Sequence, residues 1–208
     1  MRETFDKREI SDNMNNAEII FGKINSVKNS NKKIIAAIDG ECASGKTTLA
    51  AEISDILSRK MISCSVIHMD DFFLRPEMRT AEREAEPGGN VDYERVLNEV
   101  LLPLSRNLPA VFRPYECKNM RMGEKKKILS SDVNIIEGAY SCHPTLWRLY
   151  DLRIFVSAEK EVRLMRIKRR NGAEALKIFE NKWIPMEEMY FNAFDIKTRC
   201  DLVIDNSK

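Results

Sequence analysis

The sequence contains no apolar run long enough to cross a membrane, and it has only two histidines. A membrane-spanning helix needs about 20 consecutive apolar residues, so the sequence predicts no such helix. The first residues are polar and lack the apolar core of a signal peptide, from which we expect a cytoplasmic protein. His68 lies in an apolar run and His143 precedes a proline, and we interpret both as structural, His68 as part of the core. So few histidines give little support to Ser/His or Cys/His nucleophilic catalysis.

Paired cysteines and a strong net charge are also absent. The five cysteines include no C-x-x-C pair, which argues against a zinc site or a disulfide framework and favours a reducing compartment. The net charge of +2 is too small to make nucleic acid or a membrane the main partner. With 43% hydrophobic and 32% charged residues in 208, the composition is that of a globular protein with one domain, or one domain and a lid.

Residues 40–47 read GECASGKT and match the P-loop pattern G-x-x-x-x-G-K-[ST] at every fixed position. The glycines allow a tight loop to wrap a phosphate chain with backbone N–H groups, and the following helix directs its positive end at the same phosphates. Lys46 supplies a mobile cation, and the Thr47 hydroxyl is placed to bind Mg²⁺. A glycine-rich surface turn is the weaker alternative, because the motif lies between a strand-like run and a helical one. The predicted phosphate-binding residues are Gly40, Ala43, Ser44, Gly45, Lys46, Thr47 and Thr48.

Apolar runs predict strands, and apolar residues at helical spacing predict the elements between them. The strands are predicted at 34–38, 63–67, 133–136, 152–156 and 202–204, and a hairpin at 110–116 with 126–129. One helix is predicted at 17–27 and a second directly after the P-loop. A third begins at Asp92 and is kinked or ended by Pro103. Two more are predicted at 159–170 and at 173–194, the last with a kink at Pro185. Residues 1–16 are expected to be frayed, and 29–33 to form a polar connector. This alternation indicates an α/β fold with a mostly parallel sheet covered on both faces.

Acidic residues end three of the predicted strands, at the edge where such sheets bind ligands. These residues are Asp39, the pair Asp70 and Asp71, and Glu137. Asp70 or Asp71 can accept a proton from a substrate hydroxyl, and Glu137 can hold Mg²⁺ directly or through water. The alternatives are a turn or helix cap for the aspartates and a solvated strand end for Glu137. The nearby P-loop favours the functional interpretation.

Two further features each have a structural and a functional interpretation. Asp92 opens a predicted helix, where an N-cap aspartate is common. The helix at 159–170 is strongly basic, and such a helix is usually a solvated face. Beside a phosphate site, however, arginines can clamp the transferring group and close over it as a lid, with Gly172 as a hinge. The basic residues of this helix include Arg163, Arg166, Lys168, Arg169 and Arg170.

Four segments of the sequence resemble the uridine kinase family, which includes uridine–cytidine kinases and is similar to nicotinamide riboside kinases and phosphoribulokinases. They are IDGECASGKTTLA at 38–50, DDFF at 70–73, VDY at 91–93 and IEG at 136–138. The resemblance extends over about residues 34–204. Its P-loop is generic, whereas the DDFF strand end, followed by an aspartate that opens a helix, is much more specific.

The resemblance implies a P-loop NTPase-type fold of three layers, α/β/α, with a five-stranded mostly parallel sheet, a substrate-side β-hairpin and a helical arginine lid at about 159–172. It divides the chain into an N-terminal extension with a short helix, 1–33, and a kinase domain, 34–208. The implied reaction transfers the γ-phosphoryl group of ATP, with Mg²⁺, to the ribose 5′-hydroxyl of a nucleoside such as uridine or cytidine.

The resemblance also implies roles for individual residues. Asp70, rather than Asp71, would be the base, and Asp92 would bind the ribose hydroxyls. Arg163 and Arg166 would meet phosphates from the lid. The implied catalytic residues are Asp70, Lys46, Arg163 and Arg166; the implied substrate-binding residues are Asp70, Phe72, Asp92 and Tyr115; and the implied metal ligands are Thr47, Asp70 and Glu137.

One position departs from the family's pattern. Pyrimidine kinases of this family carry a Tyr-Asp pair on the hairpin and, a few residues later, a histidine that reads the base. Tyr115 and Glu116 fit the pair, but an ungapped count places Met120 where the histidine would be. Methionine cannot make that hydrogen bond. Either another residue reads the base, or the acceptor is not a pyrimidine nucleoside.

Two alternative functions remain open from the sequence. A kinase for another hydroxylated metabolite, of the nicotinamide riboside, pantothenate or glycerate type, would use the same framework. A nucleotide-binding regulator or ATPase would hydrolyse ATP without a phosphorylated acceptor, and it would leave the pairing of Asp70 with Asp92 unexplained. We expect a small-molecule acceptor rather than nucleic acid or a membrane as partner, and the sequence leaves open whether the chain forms a homo-oligomer.

Overall fold

Parallel strands form the centre of the chain, whose computed structural model describes residues 15–28 and 33–208. The strands are β1 Ile34–Gly40, β2 Cys64–His68, β3 Ala110–Phe112, β4 Tyr115–Glu116, β5 Arg121–Met122, β6 Lys126–Ile128, β7 Val133–Glu137, β8 Leu152–Ser157 and β9 Leu202–Asp205. Five of them pair in the order β2-β7-β1-β8-β9, and every pair in that sheet is parallel. The predicted five-stranded sheet is confirmed.

Helices connect the strands and cover both faces of the sheet. They are α1 Asn16–Val27, α2 Lys46–Arg59, α3 Ala81–Ala85, α4 Tyr93–Arg95, α5 Leu102–Ser105, α6 Lys160–Asn171, α7 Ala173–Ile178, α8 Ile184–Phe194 and α9 Ile196–Arg199. None of the helices in the described ranges has the length and apolar character of a membrane span. Helix α1 confirms the helix predicted at 17–27, while the predictions for residues 1–14 and 29–32 lie outside the described residues.

Side chains alternate along β1 between two apolar cores, as the two-residue period of a strand requires. One core contains Ile35 and Ala37, and the other contains Ile34, Ala36 and Ile38. Helices α1 and α2 close the second core, and α8 closes the first. The sheet therefore has a helical layer on each face, which is the three-layer arrangement expected from the sequence.

Two prolines follow π-helical segments instead of ending helices. The helix that begins at Tyr93 continues through Pro103 to Ser105, with the π-helical segment Val96–Leu101 before the proline. A second π-helical segment, Phe179–Trp183, precedes Pro185. Proline lacks the N–H of a helical hydrogen bond and crowds the carbonyl four residues back, and a wider turn relieves both problems. A stop at Pro103 is therefore wrong.

The predicted hairpin forms as two short ladders instead of one. Strand β3 pairs with β6, and β4 pairs with β5, both antiparallel. Pro114 separates the two ladders, because its nitrogen carries no hydrogen to donate to a partner strand. The segment expected to be a polar loop thus contains strand β5, which pairs with the end of the first predicted hairpin strand.

Asp39, at the end of β1, is fully buried and accepts four hydrogen bonds. Its donors are the Gly40 amide at 2.7 Å, the Tyr140 amide at 3.1 Å, the Cys142 amide at 2.8 Å and the Tyr190 hydroxyl at 2.8 Å. Burial raises the pKa of this carboxyl, although the donors oppose the shift. The carboxylate joins the end of β1, the loop after β7 and helix α8 at one point.

We expect Asp39→Ala to destabilise the protein by about 3 kcal/mol or more, because it leaves several buried donors without an acceptor. Tyr190→Phe removes a single donor and should cost about 1 kcal/mol. Urea unfolding monitored by circular dichroism measures both. An Asp39→Ala variant within about 1 kcal/mol of the wild type would contradict this role, and Asp39→Asn, which keeps the shape, serves if the alanine variant does not fold.

Candidate active site

A cavity of about 1000 Å³ lies at the carboxyl edge of the sheet, next to the ends of β1, β2 and β7. Its walls come from the P-loop, the turn after β2, the start of the β7–β8 loop, helix α6 and the π-helical segment Phe179–Trp183. The edge of the sheet that the sequence identified therefore carries the large cavity of the described chain.

The P-loop backbone adopts conformations that only glycine accommodates at two points. Gly40 has φ 139°, and a Cβ there would lie 2.0 Å from the Val156 carbonyl oxygen. Gly45 has φ 97°, and a Cβ there would lie 2.3 Å from Asn206 Nδ2. Helix α2 begins directly afterwards, so its positive N-terminal end is directed at the loop. The loop geometry agrees with the phosphate-binding prediction.

Polar contacts tie the P-loop to the rest of the chain. Lys46 Nζ donates to the carbonyl oxygens of Gly40 and Glu41, each at 2.8 Å. Asn206 Nδ2 donates to the Ser44 carbonyl oxygen at 2.8 Å, and Arg166 Nη1 donates to the Ala43 carbonyl oxygen at 3.3 Å. The Ser44 hydroxyl is buried without a hydrogen-bond partner among the described residues. Asn206 and Arg166 thus hold the loop from outside the motif, while the Lys46 ammonium group is hydrogen-bonded to carbonyl oxygens of the loop itself.

Thr47, Glu137 and His68 form a hydrogen-bonded row beside the P-loop. Thr47 Oγ1 lies 3.1 and 3.2 Å from the two carboxylate oxygens of Glu137, and His68 Nδ1 lies 2.5 Å from Glu137 Oε1. The hydrogen bond with Glu137 raises the pKa of His68. The interpretation of His68 as a core residue is wrong, since its side chain is 44% exposed. His68 is exposed because β2 is an edge strand of the sheet. The pairing of β2 with β7 places His68 opposite Glu137.

The structure separates Asp70 from Asp71, which periodicity left open. Asp70 lines the cavity, and burial followed by the charge of Glu137 raises its pKa. Asp71 instead forms an ion pair with Lys126 at 2.9 Å. Of the pair, only Asp70 lines the cavity, and its role as the base stays a prediction.

Thr47, Asp70 and Glu137 supply a hydroxyl and two carboxylates on one side of the cavity. Oxygen donors of this kind fit Mg²⁺, which in kinases is held by one or two carboxylates together with substrate phosphates and water. Among the described residues, no three His, Cys, Asp or Glu side chains cluster as a self-contained metal site. The donor set therefore fits a metal that is shared with phosphates.

The basic helix α6 presents some of its arginines to the cavity and buries another. Arg166, Arg169 and Arg170 line the cavity. Arg163 is 6% exposed, donates to the Ala158 carbonyl oxygen at 3.1 Å and lies 3.4 Å from Glu41. The helix rises about 1.5 Å per residue, so Arg163 lies about 10 Å before Arg170 along the axis. Arg163 therefore braces the base of the P-loop instead of lining the cavity, and its contact with phosphates stays a prediction.

Three residues predicted to bind substrate do not line the cavity. Phe72 is fully buried against Phe112, with ring centroids 4.8 Å apart. Asp92 is buried and accepts from the Arg95 amide at 3.1 Å, so it forms the N-cap that was the alternative interpretation. Tyr115 is buried, with its hydroxyl 3.4 Å from Met120 Sδ. Phe73, Asn90 and Cys117, which are one or two residues away along the chain, line the cavity instead.

Several cavity residues escaped the sequence analysis. Phe73 lines the cavity where Phe72 was expected, because the 3₁₀ turn Met69–Phe72 breaks the strand alternation. Met120, which departs from the family pattern, also lines the cavity. The other cavity residues that sequence reasoning missed include Leu74, Arg79, Glu84, Asn90, Tyr140, Phe179, Trp183 and Glu187. The sequence offered a signal for two of these residues, Phe73 in the DDFF segment and Met120 at the base-reading position of the family pattern.

Comparisons of the sequence with known proteins identify a family and two similar kinases. The Phosphoribulokinase / Uridine kinase family matches residues 34–175. Uridine-cytidine kinase B of Dictyostelium discoideum is 29% identical over 192 residues, which cover 86% of this chain and 77% of that protein. A uridine kinase of Alkaliphilus metalliredigens is 28% identical over 151 residues, which cover 69% of this chain and 71% of that protein.

Solved structures show the same fold. A possible uridine kinase from Bacillus stearothermophilus superposes with a TM-score of 0.71 at 21% identity, covering 91% of this chain and 97% of that one. A D-glycerate 3-kinase from Cryptococcus neoformans superposes with a TM-score of 0.63 at 14% identity, covering 91% and 92%. The chain belongs to the phosphoribulokinase/uridine kinase family and is a phosphotransferase that uses a hydroxyl group as acceptor.

Proposed function

We propose that this chain is an ATP- and Mg²⁺-dependent kinase that transfers the γ-phosphoryl group to the ribose 5′-hydroxyl of a nucleoside such as uridine or cytidine. The observation that carries the proposal is the shared cavity of the P-loop, the Asp70 carboxylate and three arginines of α6. A phosphoryl-transfer site needs a phosphate cradle, a group that orients the attacking oxygen and cations around the transferring group. We place the enzyme in the cytoplasm, in nucleoside salvage.

The donor side of the site is the P-loop. Its backbone N–H groups and the start of α2 hold the phosphates of ATP, and Lys46 leaves its carbonyl partners for the phosphate oxygens. Thr47, Asp70 and Glu137 would hold Mg²⁺, which would supply neutralisation of phosphate charge when bound. His68 orients the Glu137 carboxylate through its hydrogen bond.

The acceptor side of the site is organised by Asp70. Its carboxylate accepts the proton of the acceptor hydroxyl while the new P–O bond forms and the bond from the γ-phosphorus to ADP breaks. The transition state is loose, so Arg166, Arg169 and Arg170 contribute chiefly by positioning and by stabilising its charge.

The nucleoside assignment is supported by the relatives named uridine-cytidine kinase and uridine kinase. Apolar and aromatic side chains of the cavity, among them Phe73, Met120 and Trp183, offer a surface for a base. Met120 provides no donor to a pyrimidine carbonyl. Asp92 is buried and caps a helix, while Asn90 and Arg79 are polar side chains of the cavity wall that can bind the ribose hydroxyls.

A panel of acceptors tests the nucleoside assignment against other hydroxylated metabolites. We expect kcat/KM to be highest for a pyrimidine nucleoside among uridine, cytidine, nicotinamide riboside, pantothenate and D-glycerate, with product masses measured by mass spectrometry. If kcat/KM were highest for pantothenate or D-glycerate, the chain would still be a kinase, but the assignment of a nucleoside as its acceptor would be wrong. ATP binding without turnover of any acceptor would contradict the kinase itself.

Asp70→Asn should lower kcat by about 100-fold or more, since it removes the proton acceptor and one metal ligand. Asp71→Asn is the matched control: it breaks only the surface pair with Lys126 and should change kcat less than about threefold. Steady-state kinetics at saturating ATP measure both. A near-normal kcat in Asp70→Asn would show that Asp70 is not the proton acceptor.

Arg170→Ala should lower kcat by about tenfold or more with little effect on stability, because its guanidinium faces the cavity. Arg163→Ala should instead lower the unfolding free energy by about 1–3 kcal/mol, since it removes the donor to the Ala158 carbonyl and the ion pair with Glu41. Kinetics and urea unfolding of the two variants separate the roles. If Arg163→Ala lowered kcat as much as Arg170→Ala and left the unfolding free energy unchanged, Arg163 would be assigned to phosphate binding.

A further inference from the structure

Glu187 is a buried acid in the cavity wall that the mechanism above does not use. It belongs to α8, is 7% exposed and lines the cavity. Its Oε2 accepts a hydrogen bond from the Cys42 amide at 2.7 Å. The Cys42 thiol also hydrogen-bonds to this carboxylate, so both contacts come from the same P-loop residue. A carboxylate from helix α8 thus holds the P-loop at its third residue.

The charges around Glu187 come from three other elements. Burial raises the pKa of this carboxyl to about 7, while Lys46 and Arg163 oppose the shift and Asp39 reinforces it. Cys42 and Tyr140 also face it, and burial raises the pKa of both, so they are neutral at physiological pH. The groups that face Glu187 are Asp39, Cys42, Lys46, Tyr140 and Arg163. A carboxyl with a pKa of about 7 changes charge near physiological pH, so Glu187 can gain or lose a proton there.

We propose that Glu187 is a positioning residue that holds the P-loop through the Cys42 amide and takes up a proton when the phosphates of a nucleotide enter the cavity. The proton comes from solvent and goes to the carboxylate of Glu187. The inference rests on the proposed function only in requiring that a nucleotide binds at the P-loop.

The direction of the proton transfer follows from Coulomb's law. A bound di- or triphosphate brings several negative charges next to Lys46, and like charges nearby disfavour the ionised carboxylate. Lys46 also turns from its carbonyls towards the phosphates, which weakens its support of the Glu187 charge. A protonated carboxyl keeps one oxygen free to accept from the Cys42 amide, so the loop stays held.

The coupling is reciprocal, because a ligand that favours protonation binds better when the proton is already present. Nucleotide raises the pKa of Glu187 above its free value of about 7. Affinity for nucleotide is then highest below pH 7 and falls as pH rises through 7 towards the pKa of the complex. Without Glu187 this part of the pH dependence is lost.

Calorimetric titration with Mg²⁺-ADP in buffers of different ionisation enthalpy measures the proton uptake directly. At pH 7.5 we expect the wild type to take up about half a proton more than Glu187→Gln, and its affinity to fall more steeply from pH 6.5 to 8.5. Glu188→Gln changes an exposed acid on the same helix and should match the wild type. Equal proton uptake in the wild type and Glu187→Gln would overturn the proposal.

The positioning role has its own readout in the same titrations. The amide of Glu187→Gln can still accept from Cys42, so its ADP affinity at pH 6.5 should stay within about threefold of the wild type. Glu187→Ala loses the acceptor and should bind about tenfold more weakly. If the two variants bind ADP equally well, Glu187 does not position the loop. Failure of every variant and of the wild type to bind ADP would instead contradict the proposed function.

Discussion

The buried carboxylate of Asp39 is the point on which the arrangement of the site depends. It ends the central strand of the sheet and accepts hydrogen bonds from the P-loop, the loop after β7 and helix α8. A buried charge is tolerated only when such donors satisfy it. These donors come from the three parts of the chain that carry Lys46, Tyr140 and Glu187, so the same contacts that offset its burial also set the distance between the walls of the cavity.

Around this anchor the P-loop is strained and braced at the same time. Gly40 and Gly45 take backbone angles that other residues rarely adopt, and Ala43 has φ 57° without being glycine. Contacts from Asn206, Arg166 and Glu187 hold the loop from strand β9's end, from α6 and from α8. A loop fixed in advance loses little freedom when phosphates bind, which favours both affinity and alignment of the reacting groups.

The sequence was informative where the signal is local. Buried strands appear as apolar runs, and the P-loop is a contiguous motif, so the sheet and the donor side could be predicted. The acceptor side depends on where the chain turns: the 3₁₀ turn after β2 exposes Phe73 instead of Phe72, and the length of α6 separates Arg163 from Arg170. His68 was misplaced because strand order, which puts β2 at the edge, cannot be read from residue periodicity. Glu187 meets the P-loop only through tertiary packing, and no local pattern marks it.

The central claim is that donor and acceptor meet in one cavity, so that the γ-phosphoryl group passes directly from ATP to a hydroxyl. Phosphorus NMR of the protein with Mg²⁺-ATP and uridine or cytidine follows that group without coupling enzymes. The account predicts that the γ-phosphate resonance of ATP is replaced by a phosphate monoester resonance, with one ADP formed for each ester. Inorganic phosphate as the sole product, at a rate unaffected by the nucleoside, would contradict it and indicate an ATPase.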